Sequence, residues 1–364
     1  MTPSPPIFRA DVAAETLRRD LSLFFTRERI DDERLLAAIR RLDLAYHRYL
    51  VLYPYGLWAP GLVVTPEMRR TTDLLLPLDQ VHSAFRCFSR CAHRLAPSSD
   101  IPLFHGATSW LDLMPRLPAG LRILNPARLL HLAACQENFR LALLFALHLP
   151  AHHGGSFRRY PHQAAFIRRW LGSFPVAARS GISCLDAACG TGEGTYELAM
   201  LLGDSGIPHE CWRVHGMSRD PLEIFAAAHS WFPHDVVREE SYRNATVPLI
   251  RDGHWSNVTF GVGDIMVPAG VAQHHLIVCN GILGGPMLHE SADVRGAVGL
   301  LAEQLVPGGI LLVADKFHEG WERKVSKSFL RELFVQHGLA VVEAGEGVGG
   351  IKKRQPVRLP LSCL

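Results

Sequence analysis

The chemistry of this chain concentrates in Leu185-Asp186-Ala187-Ala188-Cys189-Gly190-Thr191-Gly192-Glu193-Gly194, where an apolar run gives way to an amphipathic one. A buried strand ending near Asp186 delivers the backbone to a turn in which Gly190 and Gly192 permit close approach to a ligand. The helix that follows, over Thr195 to Leu202, leaves that turn with its first N–H groups directed back at whatever is bound. Glu193 sits where a helix start favours a carboxylate, and where it could also accept from a ligand ammonium. Glycines between a strand and a helix serve many nucleotide-binding folds. Here the spacing is Gly-x-Gly-x-Gly rather than Gly-x-Gly-x-x-Gly, with an acid four residues before the first glycine.

Such a turn needs a sheet behind it. After Ser180 short apolar runs alternate with helical patterns, the signature of a parallel sheet with crossover helices. The runs predict strands at Ser183–Ala188, Trp212–Met217, Val258–Val262, Leu276–Cys279 and Ile310–Ala314, with a closing hairpin from Ala340–Ala344 and residues near Pro356–Leu361. Helices are expected from Gly194, from Pro221, from about Ser291 to Leu305 and from Lys324 to His337. The pattern is α/β: a doubly wound, mostly parallel seven-stranded sheet whose ligand sits at the carboxyl ends of the strands, near the switch in strand order. Ser218, Asp264-Ile265 and Asn280-Gly281 follow the second, third and fourth strands and join the turn as candidate ligand contacts. Phe232 to Asn257 reads as a polar loop of about 25 residues, longer than a connection needs and suited to a lid, a partner contact or a solvated surface.

Upstream the pattern is helical. Residues 7–50 read as two helices, the second capped at Asp31-Asp32 and carrying Leu35, Leu36, Ile39, Leu42 and Tyr46 at helical spacing. Residues 53–61 read as a loop, a third helical region spans about 66–95, and Asn125-Pro126 opens a fourth that extends to about Leu149. The division expected is a mostly helical N-terminal domain over 1–150 and a ligand-binding domain over 151–364.

Composition narrows the partners. The chain has 364 residues, 48% of them apolar, enough for two cores. Its apolar runs stop well short of a membrane span, the richest being Leu141 to Pro150. The first residues have neither a basic nor an apolar signal region, so no membrane insertion and a cytoplasmic location are expected. Residues 1–180 carry a balance of +9, all from arginine, against −6 for the remainder. An arginine-rich half suits a carboxylate-rich partner or is a solvated surface. Eight cysteines form no Cys-x-x-Cys. Cys87 and Cys91 would share a helix face, but no second ligand pair follows them, and the histidine pairs His152-His153 and His274-His275 point apart. No metal is expected.

Ser156-Phe157-Arg158-Arg159-Tyr160-Pro161 followed by Ala187-Ala188-Cys189-Gly190-Thr191-Gly192-Glu193-Gly194-Thr195-Tyr196 resembles the CheR-type branch of the class I S-adenosylmethionine (SAM)-dependent methyltransferases. The likeness covers about residues 150–320 and is best at the glycine turn. It implies a Rossmann-like fold, SAM as cofactor and methylation of glutamate side chains on an acidic protein partner. It also implies that Arg159 faces the methionine carboxylate, that Asp186, Ala187, Gly190, Gly192 and Glu193 line the methionine end, and that Asp264-Ile265 holds the adenine edge. The chain departs from the family at Ser218, where an acid grips the ribose, at Asn280-Gly281, which replaces Arg-Asn, and in the glycine-rich loop Leu283-Gly284-Gly285-Pro286. These departures point to a different acceptor pocket. A small-molecule methyltransferase and a non-catalytic binding protein are therefore alternatives, while the turn after the fourth strand has none of the amide-positioning residues that nucleic-acid methylation would call for.

Overall fold

The computed structural model describes residues 7–55, 63–94, 101–122, 125–149, 156–173, 181–268, 274–285, 288–315 and 321–353. The chain divides into two compact units, one of Val12–His153 with Trp231–Ser241 and one of Met1–Asp11, Gly154–Ser230 and Tyr242–Leu364.

The first unit is built from helices: α1 (Ala14–Phe24), α2 (Glu33–Leu52), α3 (Pro66–Leu75), α4 (Leu78–Ala92), α5 (Trp110–Leu113), α6 (Pro126–Cys135) and α7 (Glu137–His148). Their starts are written in the sequence. Asp32 accepts from Leu35 N–H, Thr65 from Met68 N–H ahead of Pro66, and Asn125 from Ala127 and Arg128 ahead of Pro126. Each satisfies donors that a helix end leaves without partners. Leu35, Ile39 and Leu42 form the buried stripe of α2. Arg140 on α7 is fully buried, yet its guanidinium donates to the backbone carbonyls of Ala133, Ala134 and Thr26, which offsets the cost of burying the charge.

The second unit is an eight-stranded sheet with helices between its strands. In chain order come β1 (Ile7–Arg9), α8 (Pro161–Ser173), β2 (Ile182–Asp186), α9 (Glu193–Asp204), β3 (Trp212–Ser218) and α10 (Pro221–His229). Then follow α11 (Val236–Arg251), which the two units share, β4 (Val258–Val262), β5 (His274–Asn280), α12 (Ser291–Glu303) and β6 (Leu305–Ala314). The chain closes with α13 (Trp321–Lys324), α14 (Lys327–Gln336), β7 (Leu339–Glu343) and β8 (Val348–Lys352). The strand order is β1-β4-β3-β2-β5-β6-β8-β7, with β4, β3, β2, β5 and β6 mutually parallel, β1 and β8 antiparallel to them, and β7 antiparallel to β8. The order therefore runs outward in both directions from β2, and the switch lies between β2 and β5, where ligands of open α/β sheets bind. One face of the sheet (Leu185, Ile277, Leu311) packs on Val298 and Leu301 of α12 and Phe334 of α14. Each such side chain contributes about 1.5–3 kcal/mol on full burial.

Three expectations need correction. The sheet has eight strands, not seven, because Ile7–Arg9 is an edge strand on β4 and not part of a helix. Phe8 is buried and meets Phe225 edge-on at 6.2 Å. The segment read as a polar loop holds α11, which buries Tyr242, Thr246 and Leu249 on one side and tolerates Pro248 in its last turn. The closing hairpin pairs β7 with Val348–Lys352, whereas residues 356–361 lie outside the described residues. Gly349 and Gly350 are strand residues crowded by Val342 and Phe334: an added Cβ would lie 2.8 Å and 2.7 Å from those side chains. Among the described residues no helix is long and apolar enough to cross a membrane.

Candidate functional site

β2 ends on Asp186, and the chain turns through Ala187–Gly192 into α9. Ala187 N–H donates to Val278 O and Cys189 N–H to Met217 O, so both neighbouring strands hold the turn. Gly190 has φ +52° and nothing within 4 Å of where a Cβ would stand; Gly192 has φ +92°, and a Cβ there would lie 2.8 Å from Ala227 Cβ and from the Phe260 ring. One glycine thus opens the turn outward and the other packs it inward. Below the turn, Tyr242 Oη donates to Thr191 O at 2.5 Å and Tyr196 Oη to Ala227 O at 2.7 Å.

Three carboxylates surround this turn. Asp186 is 4% exposed and accepts from Thr195 Oγ1 at 2.8 Å; Glu193 is 6% exposed and accepts from Thr191 Oγ1 at 2.8 Å. Glu197, one turn along α9, accepts from the backbone N–H of Arg158, which itself has φ +59°. Burial pushes the Asp186 carboxyl up to about 6, against the hydrogen bonds from Thr195 and Ala188 that pull it down, and Glu193 adds to the rise. Burial likewise pushes Glu197 up to about 7, with Arg158 opposing and Asp186 and Glu193 reinforcing. A glycine turn at a helix start is ordinarily an anion site, and here three acids crowd it instead.

The other candidates stand along the same edge of the sheet. Ser218 pairs in register with Val262 at the end of β3, and Asn280 with Ala314 at the end of β5. Ser218 Oγ donates to Glu223 Oε2 at 2.5 Å and accepts from Asp220 N–H at 3.3 Å. Asp220 is a helix cap, its carboxylate accepting from Leu222 N–H at 2.7 Å. Asp264 turns the chain after β4 by accepting from Met266 N–H at 2.9 Å, and it meets Arg219 at 3.3 Å. Ile265 is buried in the core beside Ala187 and Cys279. Asn280 exchanges two hydrogen bonds with the buried Gln163 of α8, at 2.8 and 3.3 Å, and accepts from Ala314 N–H. Gly281 follows with φ +75° and donates to Ala314 O. Arg159, half-buried ahead of α8, donates to Ser156 Oγ at 3.3 Å, while the positive charges acting on Glu197 are those of Arg158 and Arg168.

Sequence reasoning passed over Glu223, Glu197 and Gln163. Glu223 had a signal available: an acid in the first turn of the helix opened by Asp220-Pro221, five residues beyond the position where an acid was missing. Glu197 and Gln163 had none, since only the fold brings each to the sheet edge.

No family model matches the chain. Over 172 residues it is 24% identical to a Pseudomonas putida protein named "Probable biofilm formation methyltransferase WspC", a match spanning 43% of this chain and 39% of that protein. Among solved structures, a TehB-like SAM-dependent methyltransferase from Corynebacterium glutamicum is 21% identical, covering 56% of this chain and 90% of that one at a TM-score of 0.34. The N-methyltransferase NodS from Bradyrhizobium japonicum, in complex with S-adenosyl-L-homocysteine, is 16% identical, covering 54% and 90% at a TM-score of 0.35. At TM-scores of this size the structural likenesses carry no argument about what this chain does.

Proposed function

We propose that the chain is a SAM-dependent methyltransferase whose acceptor is a carboxylate on an acidic protein partner. The observation that carries the cofactor reading is the acidic surround of the glycine turn. A dinucleotide would set its pyrophosphate against Asp186, Glu193 and Glu197, whereas SAM brings a sulfonium and an ammonium to the same place. The donor set fits SAM: Gly190 leaves space for the methionine end, and the carboxylates attract its cations. Ser218 with Glu223 offers hydrogen-bonding groups for a diol, and Asp264 stands at the next strand end for a base edge.

Bound there, SAM supplies an electrophilic methyl group. The chain's part is to hold donor and acceptor in line and keep water out, which is the main requirement of a direct displacement. A carboxylate acceptor is already ionised near neutral pH and needs no general base. The match to the biofilm methyltransferase supports methyl transfer, and the arginine-rich first 180 residues, suited to docking an acidic partner, support this acceptor class. A small-molecule acceptor is the second reading, favoured by the glycines at 284 and 285, which leave little side chain beyond β5. The acid at Glu223 argues against a non-catalytic protein.

Calorimetric titration with SAM and with NAD tests the cofactor: SAM is expected to bind and NAD not to, and absence of SAM binding up to millimolar concentration would overturn the reading. Transfer of labelled methyl into lysate then tests the acceptor. Label on protein that alkali releases supports a carboxyl ester; label confined to small molecules supports the second reading.

A further inference from the structure

The helical unit holds a cluster that the methyl-transfer reading does not use. Cys87 and Cys91 lie one turn apart on α4, and Asp32 reaches them from the start of α2; one ligand atom from each lies within 4.8 Å of the others. All three residues are half-buried, and neither cysteine is in a disulfide. Around an ion with Zn–S of about 2.3 Å and Zn–O of about 2.1 Å, tetrahedral angles put ligand atoms about 3.5–3.8 Å apart. The side chains need only draw in by about 1 Å.

The surrounding backbone keeps this arrangement in place. Residues 24–26 run against the end of α4: Thr26 N–H donates to Ala92 O, Arg94 N–H to Phe24 O, and Phe25 bridges His93. Ile30 N–H is tied to Ala134 O at the end of α6. Two residues later Asp32 caps α2 through Oδ1, and a carboxylate that caps with one oxygen has a second to offer. The cap, needed for the helix in any case, thereby fixes the direction of the carboxylate.

We propose that Asp32, Cys87 and Cys91 form a binding site for a borderline-soft divalent cation of the Zn2+ class. Two thiolates exclude Mg2+ and Ca2+, which take oxygen ligands, and favour Zn2+. Three protein ligands leave a fourth position for water or an incoming group. Binding displaces the thiol protons to solvent as the Cys87 and Cys91 Sγ–metal bonds form. The site would pin α2 to α4 within the helical unit. The third ligand is far upstream of the cysteine pair, which is why residue spacing alone points to no metal.

Cobalt(II) titration of the reduced, chelator-treated full chain tests this. The expected result is one Co2+ per chain with a thiolate-to-cobalt charge-transfer band that Zn2+ abolishes. The band should disappear in C87S/C91S. In D32N it should persist but require at least about tenfold more metal; asparagine caps a helix as well as aspartate, so the change isolates the ligand role. His131 and Cys135, whose side chains come within 4.0 Å on α6, are the competing pair, and H131A/C135S should leave the band intact. A band that survives C87S/C91S, or a D32N protein that binds Co2+ as wild type does, would overturn the proposal. Should the cysteine variant fail to fold, alkylation of the wild-type chain mapped by mass spectrometry decides. Zn2+ should protect Cys87 and Cys91 and leave Cys135 reactive, and equal labelling with and without Zn2+ would refute the site.

Discussion

Ser218 Oγ donates to Glu223 Oε2 at 2.5 Å, so an acid stands at the end of β3 although the strand itself ends without one. If this pair receives the ribose diol of SAM, E223Q should weaken SAM binding by about 10–100-fold, the worth of a hydrogen bond to a charged group. S218A should cost less, about three- to tenfold. The more searching comparison uses a 2′-deoxy analogue of S-adenosylhomocysteine. The wild type should bind it more weakly than the parent compound, and E223Q should not discriminate. Calorimetry gives both numbers.

Gly190 and Gly192 should respond differently to alanine. At Gly192 the methyl meets Ala227 and the Phe260 ring at 2.8 Å on a backbone with φ +92°, and G192A should lose about 2–4 kcal/mol of stability. At Gly190 there is open space, so G190A should cost only the left-handed strain of about 1–2 kcal/mol while blocking SAM. Thermal melts alongside SAM titration separate the two.

The acids around the turn couple binding to pH. Burial raises Asp186 to about 6 and Glu197 to about 7, and a cationic ligand favours their ionised forms. SAM affinity should therefore rise as pH increases through that window and level off above it. Binding should release protons, visible as a dependence of the calorimetric heat on buffer ionisation. A flat profile would remove the carboxylates from the ligand's surroundings.

The same shift has the opposite effect on the ligand-free protein. A folded value raised above 4.5 means that the folded chain holds the Glu197 proton more tightly than the unfolded chain does. That contribution is full at low pH and is lost as pH rises through about 7. E197Q has no proton to lose. Its advantage over wild type should grow by about 1–3 kcal/mol between about pH 5 and about pH 8, allowing for partial solvent screening. Melts at the two pH values are the check.

Asn280 is braced by Gln163 and by Ala314 N–H. N280A leaves a buried amide and a backbone donor without their partner, at about 1–3 kcal/mol. Q163A should cost a similar amount, and the double variant less than the sum, as denaturant titration would show.

The parallel core was legible because buried strands read as unbroken apolar runs: the bounds at Val258–Val262 agree with β4, and Ser183–Ala188 and Trp212–Met217 each fall within two residues of β2 and β3. Ile7–Arg9 was not, since three residues carry no period and this edge strand is stabilised by pairing with distant β4. α11 was hidden by Pro248 and by its lack of an apolar period, since only Tyr242, Thr246 and Leu249 are buried while Val236, Val237, Val247 and Ile250 are exposed. In the site, the glycine turn with Asp186 and Glu193 was legible because their spacing is local, while Glu197 was passed over. The partnerships of Ser218 with Glu223 and of Asn280 with Gln163 depend on how a helix start and a distant helix meet a strand end, which no residue pattern encodes.

β1 has a bearing on how the molecule is made. Ala10 N–H donates to Val258 O, while Asp11 N–H donates to Ala228 O and Asp11 O accepts from His229 Nδ1. The partner strand is synthesised about 250 residues later. On the ribosome the leading segment must wait, unpaired, while the helical unit emerges, and its docking onto β4 closes a very long loop. Shortening the chain to begin at residue 12 would leave β4 as a bare edge, open to pairing with another copy. The order of translation and the order of assembly are thus reversed at this margin of the sheet.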